Sequence, residues 1–135
     1  MKKIEHIGIA VKNLDDSNLL FEKLLGKPHY KIEDVASEGV KTSFFKSGPN
    51  KIELLEATRA DSPIAKFIEK KGEGVHHIAF AVQDIRKEID RLKHEGFTIL
   101  NETPKKGADD KLVAFLHPKT TNGVLIELCQ DIDDK

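Results

Sequence analysis

Apolar and polar positions alternate strictly through two stretches of the chain. In the first, Ile7, Ile9 and Val11 fall on one side, and His6, Gly8 and Ala10 on the other. In the second, Ile78, Phe80 and Val82 oppose His77, Ala79 and Ala81. A period of two predicts half-buried strands. After each, the period changes. Leu14, Leu19, Leu20, Leu24 and Leu25, with Phe21 nearby, predict a helix over about 15–25, with Asn13 as N-cap and Gly26 as the stop. Asp84 caps a second helical run through Ile85, Ile89 and Leu92, ended by Gly96. Further strand patterns lie around Tyr30–Val35, Val40–Phe45 and Lys51–Leu55, and around Phe97–Leu100, Leu112–His117 and Val124–Leu128. Gly48-Pro49-Asn50 and Asn122-Gly123 are tight-turn signals.

Both halves therefore read strand, helix, strand, strand, strand, and the match extends to residue identity. Glu5-His6-Ile7-Gly8-Ile9-Ala10-Val11 is echoed by His76-His77-Ile78-Ala79-Phe80-Ala81-Val82, an offset of 77 − 6 = 71. Lys51-Ile52-Glu53-Leu54 is echoed by Leu125-Ile126-Glu127-Leu128, an offset of 127 − 53 = 74. Between the copies, Asp61-Ser62-Pro63 opens a short helix that Lys71-Gly72-Glu73-Gly74 closes. The domain reading is one domain over 1–135: module one at about 1–60, a connecting helix at about 61–72, and module two at about 73–130. The fold class is α+β, two βαβββ modules.

Composition narrows the function. A chain of 135 residues holds one proper core but is short for two independent domains. With 33% charged and 39% hydrophobic residues and no Trp, it reads as a soluble, cytoplasmic protein. A net charge of −1 leaves no basic footprint for nucleic acid. No apolar run reaches membrane-spanning length, and Met1-Lys2-Lys3 leads directly into a strand pattern, which argues against a membrane partner and a signal peptide. Cys129 is the single cysteine, so no intrachain disulfide forms.

The repeat returns one His and one Glu per module. His6 and His77 are flanked on their faces by Gly and Ala, which leave space beside the ring and suit the edge of a cavity. Glu53 and Glu127 each lie between large aliphatics, where a carboxylate is costly unless its charge is compensated. Singly, each has an ordinary explanation: a hydrogen-bonded structural His, a solvent-facing Glu. Matched at equivalent pleat positions of two modules, the set His6, Glu53, His77 and Glu127 points to a divalent metal of intermediate hardness. A six-coordinate ion would keep positions open, unlike a closed, Cys-rich structural zinc site. His76 competes with His77, but alternation sends it to the opposite face. His29, His94 and His117 have no repeat partner and read as solvated or turn-stabilising.

These features resemble the vicinal-oxygen-chelate superfamily (glyoxalase I, extradiol dioxygenases, fosfomycin-resistance proteins), and within it the methylmalonyl-CoA epimerase family most. The matching blocks are Glu5–Val11, Asp61–Val82 and Val113–Leu128. The resemblance implies a curved mixed sheet around a metal site, with His6, Glu53, His77 and Glu127 on the ligand positions. Some members carry Gln where this chain has Glu53. It implies one divalent ion per chain (Co²⁺ favoured; Mn²⁺, Mg²⁺, Zn²⁺ or Ni²⁺ open), a homodimer, methylmalonyl-CoA as substrate, and Glu127 as an acid–base catalyst at C2. Lys105 and Lys106 are candidates for the nucleotide end of CoA. The chain departs from the family at Gly107-Ala108-Asp109-Asp110, commonly Gly-Ala-His-Gly, and at Thr42, where some members carry a catalytic Glu. The alternatives are a glyoxalase I-type lyase or a metal-free small-molecule-binding protein on the same fold.

Overall fold

The computed structural model describes residues 1–132; the last three positions of the single-domain reading lie outside the described residues. The chain divides into two compact units, one spanning His6–His76 and the other joining Met1–Glu5 to the segment from His77 onward.

In the first unit, β1 (Lys3–Ala10) leads into helix α1 (Leu14–Leu25), then β2 (Lys31–Val35), β3 (Val40–Ser47), β4 (Asn50–Ala57) and helix α2 (Pro63–Lys71). The strand order is β2-β3-β4-β1. β1 runs parallel to β4, and the other neighbours are antiparallel. The mixed sheet follows from the connection: a crossover through α1 and two antiparallel reversals, β2 to β3 and β3 to β4, bring β4 back alongside β1 in the same direction. α1 starts where the Asn13 side chain accepts from the Asp16 amide at 2.9 Å. It stops at Gly26, whose φ of +79° is a left-handed turn that favours glycine. α2 starts at Ser62, whose hydroxyl accepts from the Ala65 amide, with Pro63 in its first turn.

Each helix covers one face of this sheet. Leu14, Phe21 and Leu25 of α1 pack on Ile9, Val11, Phe45, Ile52 and Leu54. α2 lays Ile64, Phe67 and Ile68 on Ala10, Val40 and Leu55, at one end of the opposite face. Burying each large side chain contributes roughly 1.5–3 kcal/mol. The leucines that predicted α1 do not all point inward: Leu19, Leu20 and Leu24 are 61%, 62% and 70% exposed. The buried stripe is Leu14, Asn18, Phe21 and Leu25, which are three or four residues apart; Leu19, Leu20 and Leu24 lie on its flanks.

In the second unit, β5 (Gly74–Ala81) continues into helix α3 (Ile85–His94), β6 (Lys105–Lys106), β7 (Lys111–Leu116) and β8 (Ile126–Asp131), in the order β5-β8-β7-β6. β5 is parallel to β8, as β1 is to β4. Under α3, Ile85, Ile89 and Leu92 close on Val82, Ala114, Leu116 and Leu128.

The strand expected around Phe97–Leu100 does not form. Ile99 makes only an isolated bridge to Leu116, while Phe97 and Ile99 fill the core beneath α3. The Asn101 side chain replaces the next rung of the ladder, accepting from the Phe115 amide at 2.9 Å and donating to the Val113 carbonyl at 3.2 Å. Pro104 then lacks an amide hydrogen to offer, so regular pairing resumes only at β6. The last strand likewise starts at Ile126, two residues later than its pattern suggested.

One internal mismatch yields a prediction. Asn18 is buried in the α1 stripe with its side-chain oxygen unpaired, and the Ser43 hydroxyl, on the α1 side of β3, is unpaired as well. Asn18→Leu should raise unfolding stability by about 1 kcal/mol or more, because it trades a desolvated acceptor for apolar contact. Urea denaturation measures this, and a loss of stability would show that Asn18 makes a polar interaction α1 depends on.

Candidate active site

In the first unit the parallel register of β1 on β4 sets Gly8 beside Glu53 and His6 beside Lys51. Glu53 points away from Ile52 and Leu54, which belong to the core under α1. Gly8 puts nothing in the space across from it, and the His6 ring reaches diagonally over. Nδ1 of His6 lies 3.1 Å from Oε2 of Glu53, both side chains buried. On the other flank, Phe44 of β3 is in register with Glu53 and fully buried.

The second unit builds the same arrangement. β5 on β8 sets Ala79 beside Glu127, and Phe115 of β7 flanks Glu127 from the other side. Nε2 of His77 lies 3.0 Å from Oε1 of Glu127, again with both side chains buried. The His77 ring meets Phe115 edge-on, with centroids 6.3 Å apart at 86°. His6, Gly8, Glu53 and Phe44 thus correspond, position by position, to His77, Ala79, Glu127 and Phe115.

The donor chemistry fits a divalent ion. With a neutral imidazole, each pair carries one net negative charge inside an apolar layer, where charge is costly unless balanced. Two donor atoms each about 2.1 Å from one ion, at right angles, are about 3 Å apart. Both pairs have that spacing. The described residues therefore contain groups able to hold a metal ion.

The other histidines take local roles. His94 Nδ1 meets the Asp90 carbonyl at 2.9 Å, and His117 Nδ1 accepts from the Lys119 amide at 3.0 Å, so both stabilise turns or helix ends. His76 packs edge-on against Phe67, 5.0 Å away, next to α2. His29 packs on Phe45 and buries an unpaired Nδ1, which differs from the solvated role its position suggested. Lys105 shares a face with Val113 and hence with Glu127; Lys106 is in register with Leu112 and pairs with Asp110 at 3.7 Å.

Three residues near the pairs escaped the pattern. Thr42 is 2% exposed and lies on the same face of β3 as Phe44; only its departure from a family motif drew attention to it. Glu5 and Cys129 are both buried, with donor atoms within 4.8 Å of each other. Strand alternation groups Glu5 with Ile7 and Ile9, away from His6, so the repeat does not mark it. The Cys129 thiol sits 3.5 Å from the Phe80 carbonyl.

Residues 5–115 match the model of the glyoxalase/bleomycin resistance protein/dioxygenase superfamily. Bacillus subtilis has an uncharacterized protein, YqjC, that is 39% identical over 100% of this chain and 96% of its own. The ethylmalonyl-CoA/methylmalonyl-CoA epimerase of Cereibacter sphaeroides is 41% identical, covering 95% of this chain and 97% of its own. A solved structure of a single-residue variant of the Streptomyces coelicolor methylmalonyl-CoA epimerase, in complex with 2-nitronate-propionyl-CoA, superimposes with a TM-score of 0.94 at 33% identity, covering 100% of this chain and 98% of that one. With identity above 40% to a named epimerase over almost the full length of both proteins, and the same fold as a second, the chain belongs to the methylmalonyl-CoA epimerase family of the glyoxalase/bleomycin resistance protein/dioxygenase superfamily.

Proposed function

We propose that the protein interconverts (R)- and (S)-methylmalonyl-CoA by removing and returning the proton at C2, and that His6, Glu53, His77 and Glu127 together hold one divalent ion per chain. The observation that carries this reading is the pair of equivalent, buried His–carboxylate contacts at 3.0 and 3.1 Å in a chain of this family. Two neutral imidazoles and two carboxylates sum to a charge of −2, which a divalent cation balances. Co²⁺ is favoured, with Mn²⁺, Mg²⁺, Zn²⁺ and Ni²⁺ as alternatives of the same hardness range or availability. When bound, such an ion supplies Lewis-acid stabilisation of negative charge on a carbonyl oxygen.

The C2 proton lies between a thioester carbonyl and a carboxylate, so its removal places charge on the thioester oxygen. Glu127 is the group assigned to that proton. Ala79 on one flank leaves it room, Phe115 flanks it on the other, and Nε2 of His77 lies 3.0 Å from one carboxylate oxygen. A carboxylate held this way loses little by reorganising during proton transfer. Inversion needs a proton from the opposite face. Thr42 offers only a hydroxyl, which takes no proton near neutral pH, so delivery there falls to another group or an ordered water. The reading also includes a cytoplasmic homodimer; the exposed leucines of α1 are apolar surface that a second copy would cover. No helix among the described residues is long and apolar enough to cross a membrane.

Chelator-treated protein should keep its circular-dichroism spectrum, because the sheets have their own apolar cores, and should take back one equivalent of Co²⁺ per chain in a metal titration. A stoichiometry other than one, or unfolding on chelation, contradicts the proposed site.

His77→Ala should abolish Co²⁺ uptake, whereas His76→Ala should largely preserve it, since the two side chains leave opposite faces of β5. The reverse ranking would mean that His76 is the ligand.

Chiral analysis of the product from enantiopure substrate tests the reaction and the role of Glu127 together. Glu127→Gln should lose turnover about 10²-fold or more, and lose metal by less, because an amide oxygen still coordinates but takes no proton. Glu53→Gln and Thr42→Val should reduce turnover only modestly. Normal turnover by Glu127→Gln at full metal occupancy would leave Glu127 as a ligand alone, and no epimerisation by the wild type would sink the activity itself.

A further inference from the structure

Inversion at C2 needs two proton carriers, one for each face of the carbon, and the proposed mechanism assigns only Glu127. The first unit carries a further carboxylate on the sheet face that bears Glu53. Register runs this face from strand to strand: Gly8 beside Glu53, Glu53 opposite Phe44, and Phe44 opposite Lys31 of β2. The Lys31 ammonium lies 4.8 Å from the centre of the Phe44 ring, so β2 turns Lys31 to the same side as Phe44. Glu33 follows two residues later, on the same side by alternation, with its carboxylate 3.7 Å from the Lys31 ammonium. In register it is directly opposite Thr42, where β-carbons of paired residues are about 5 Å apart. Thr42 is short and 2% exposed, whereas the Glu33 side chain is longer and 33% exposed. Of the two, Glu33 stands out from the face. The other acids on β2 and β4 besides Glu53 are Asp34 and Glu56. Both are on the Lys41 rung, which alternation turns to the opposite side.

We propose that Glu33 is the second acid–base residue, carrying the proton to and from the face of C2 that Glu127 does not serve. The proposal rests on the epimerase reading and supplies the group it leaves unassigned. Glu33 and Glu53 are two strands and two residues apart, about 10 Å across the sheet and about 7 Å along it. That separation leaves room between the two carboxylates for a small acyl group. In the direction that starts at Glu127, the C2–H bond breaks, its proton passes to Glu127 and its electron pair to the enolate. The enolate pair then takes the proton of the Glu33 carboxyl, which forms the new C2–H bond on the other face and leaves Glu33 as a carboxylate. The reverse direction exchanges the two roles. Each turnover leaves one group a proton short and the other with one to spare, so both must exchange with water before the next. The partial exposure of Glu33 gives it that access.

The test follows each enantiomer separately, by chiral analysis and by deuterium uptake at C2 from D₂O. It compares the wild type, Glu33→Gln, Glu33→Gln/Thr42→Glu, and Asp34→Asn as a control on the other face of the same strand. Glu33→Gln should lose epimerisation about 10²-fold or more. The enantiomer whose C2 proton faces Glu127 should still gain deuterium with its configuration kept, and the other should gain none. Adding Thr42→Glu should restore most of the lost epimerisation, because it returns a carboxylate to the same rung, and Asp34→Asn should match the wild type. Normal epimerisation by Glu33→Gln overturns the assignment. Loss of deuterium uptake from both enantiomers, without rescue by Thr42→Glu, also overturns it and makes Glu33 a structural residue. A wild type that neither inverts nor deuterates either enantiomer removes the epimerase reading itself; a wild type that inverts both, matched by Glu33→Gln, removes Glu33 alone.

Discussion

A carboxylate inside an apolar layer must have its charge answered, and this fold sets that requirement twice. Glu53 and Glu127 alternate with aliphatic residues that each unit needs for its helix-side core. The period of two that drives Ile52 and Leu54, or Ile126 and Leu128, beneath a helix drives the carboxylate to the opposite face. Gly8 and Ala79, the register partners of the two acids, then decide what can approach. A larger side chain there would fill the space that His6 and His77 reach across. The histidine–carboxylate contacts are thus consequences of strand register, and a one-residue slip in either parallel pair would remove them.

That dependence explains which parts were legible in the linear chain. Strand parity, the repeat, Asn13 and Asp84 as caps, and the face that each His and each Glu takes are written in local sequence, because each depends on alternation or on a side chain meeting its own backbone. The failed expectations depend on tertiary choices. The Phe97–Leu100 segment has strand composition, yet Asn101 uses its side chain to mimic the ladder, and no local pattern announces this. α1 reads as a leucine helix, but which leucines turn inward is set by how the helix sits on β3 and β4. Asn18 won a place in the stripe that Leu20 did not.

The departures from the family motif can be located physically. Thr42 is buried on the face that carries Glu53, so a residue there can act on chemistry at that face, and a hydroxyl supplies less than the carboxylate some relatives carry. Under the proposed mechanism, proton transfer on one face of C2 then falls to the second module, through Glu127. The duplication thus provides two equivalent His–carboxylate pairs, one in each unit.

The most direct test of this account is the fate of the C2 proton. Methylmalonyl-CoA incubated with metal-loaded enzyme in D₂O should gain solvent deuterium at C2 as its configuration scrambles, read by NMR or mass spectrometry, because a carboxylate exchanges its proton with water between removal and return. Scrambling without deuterium uptake would mean that no solvent-exchangeable group carries the proton, and absence of both would contradict the account at its centre.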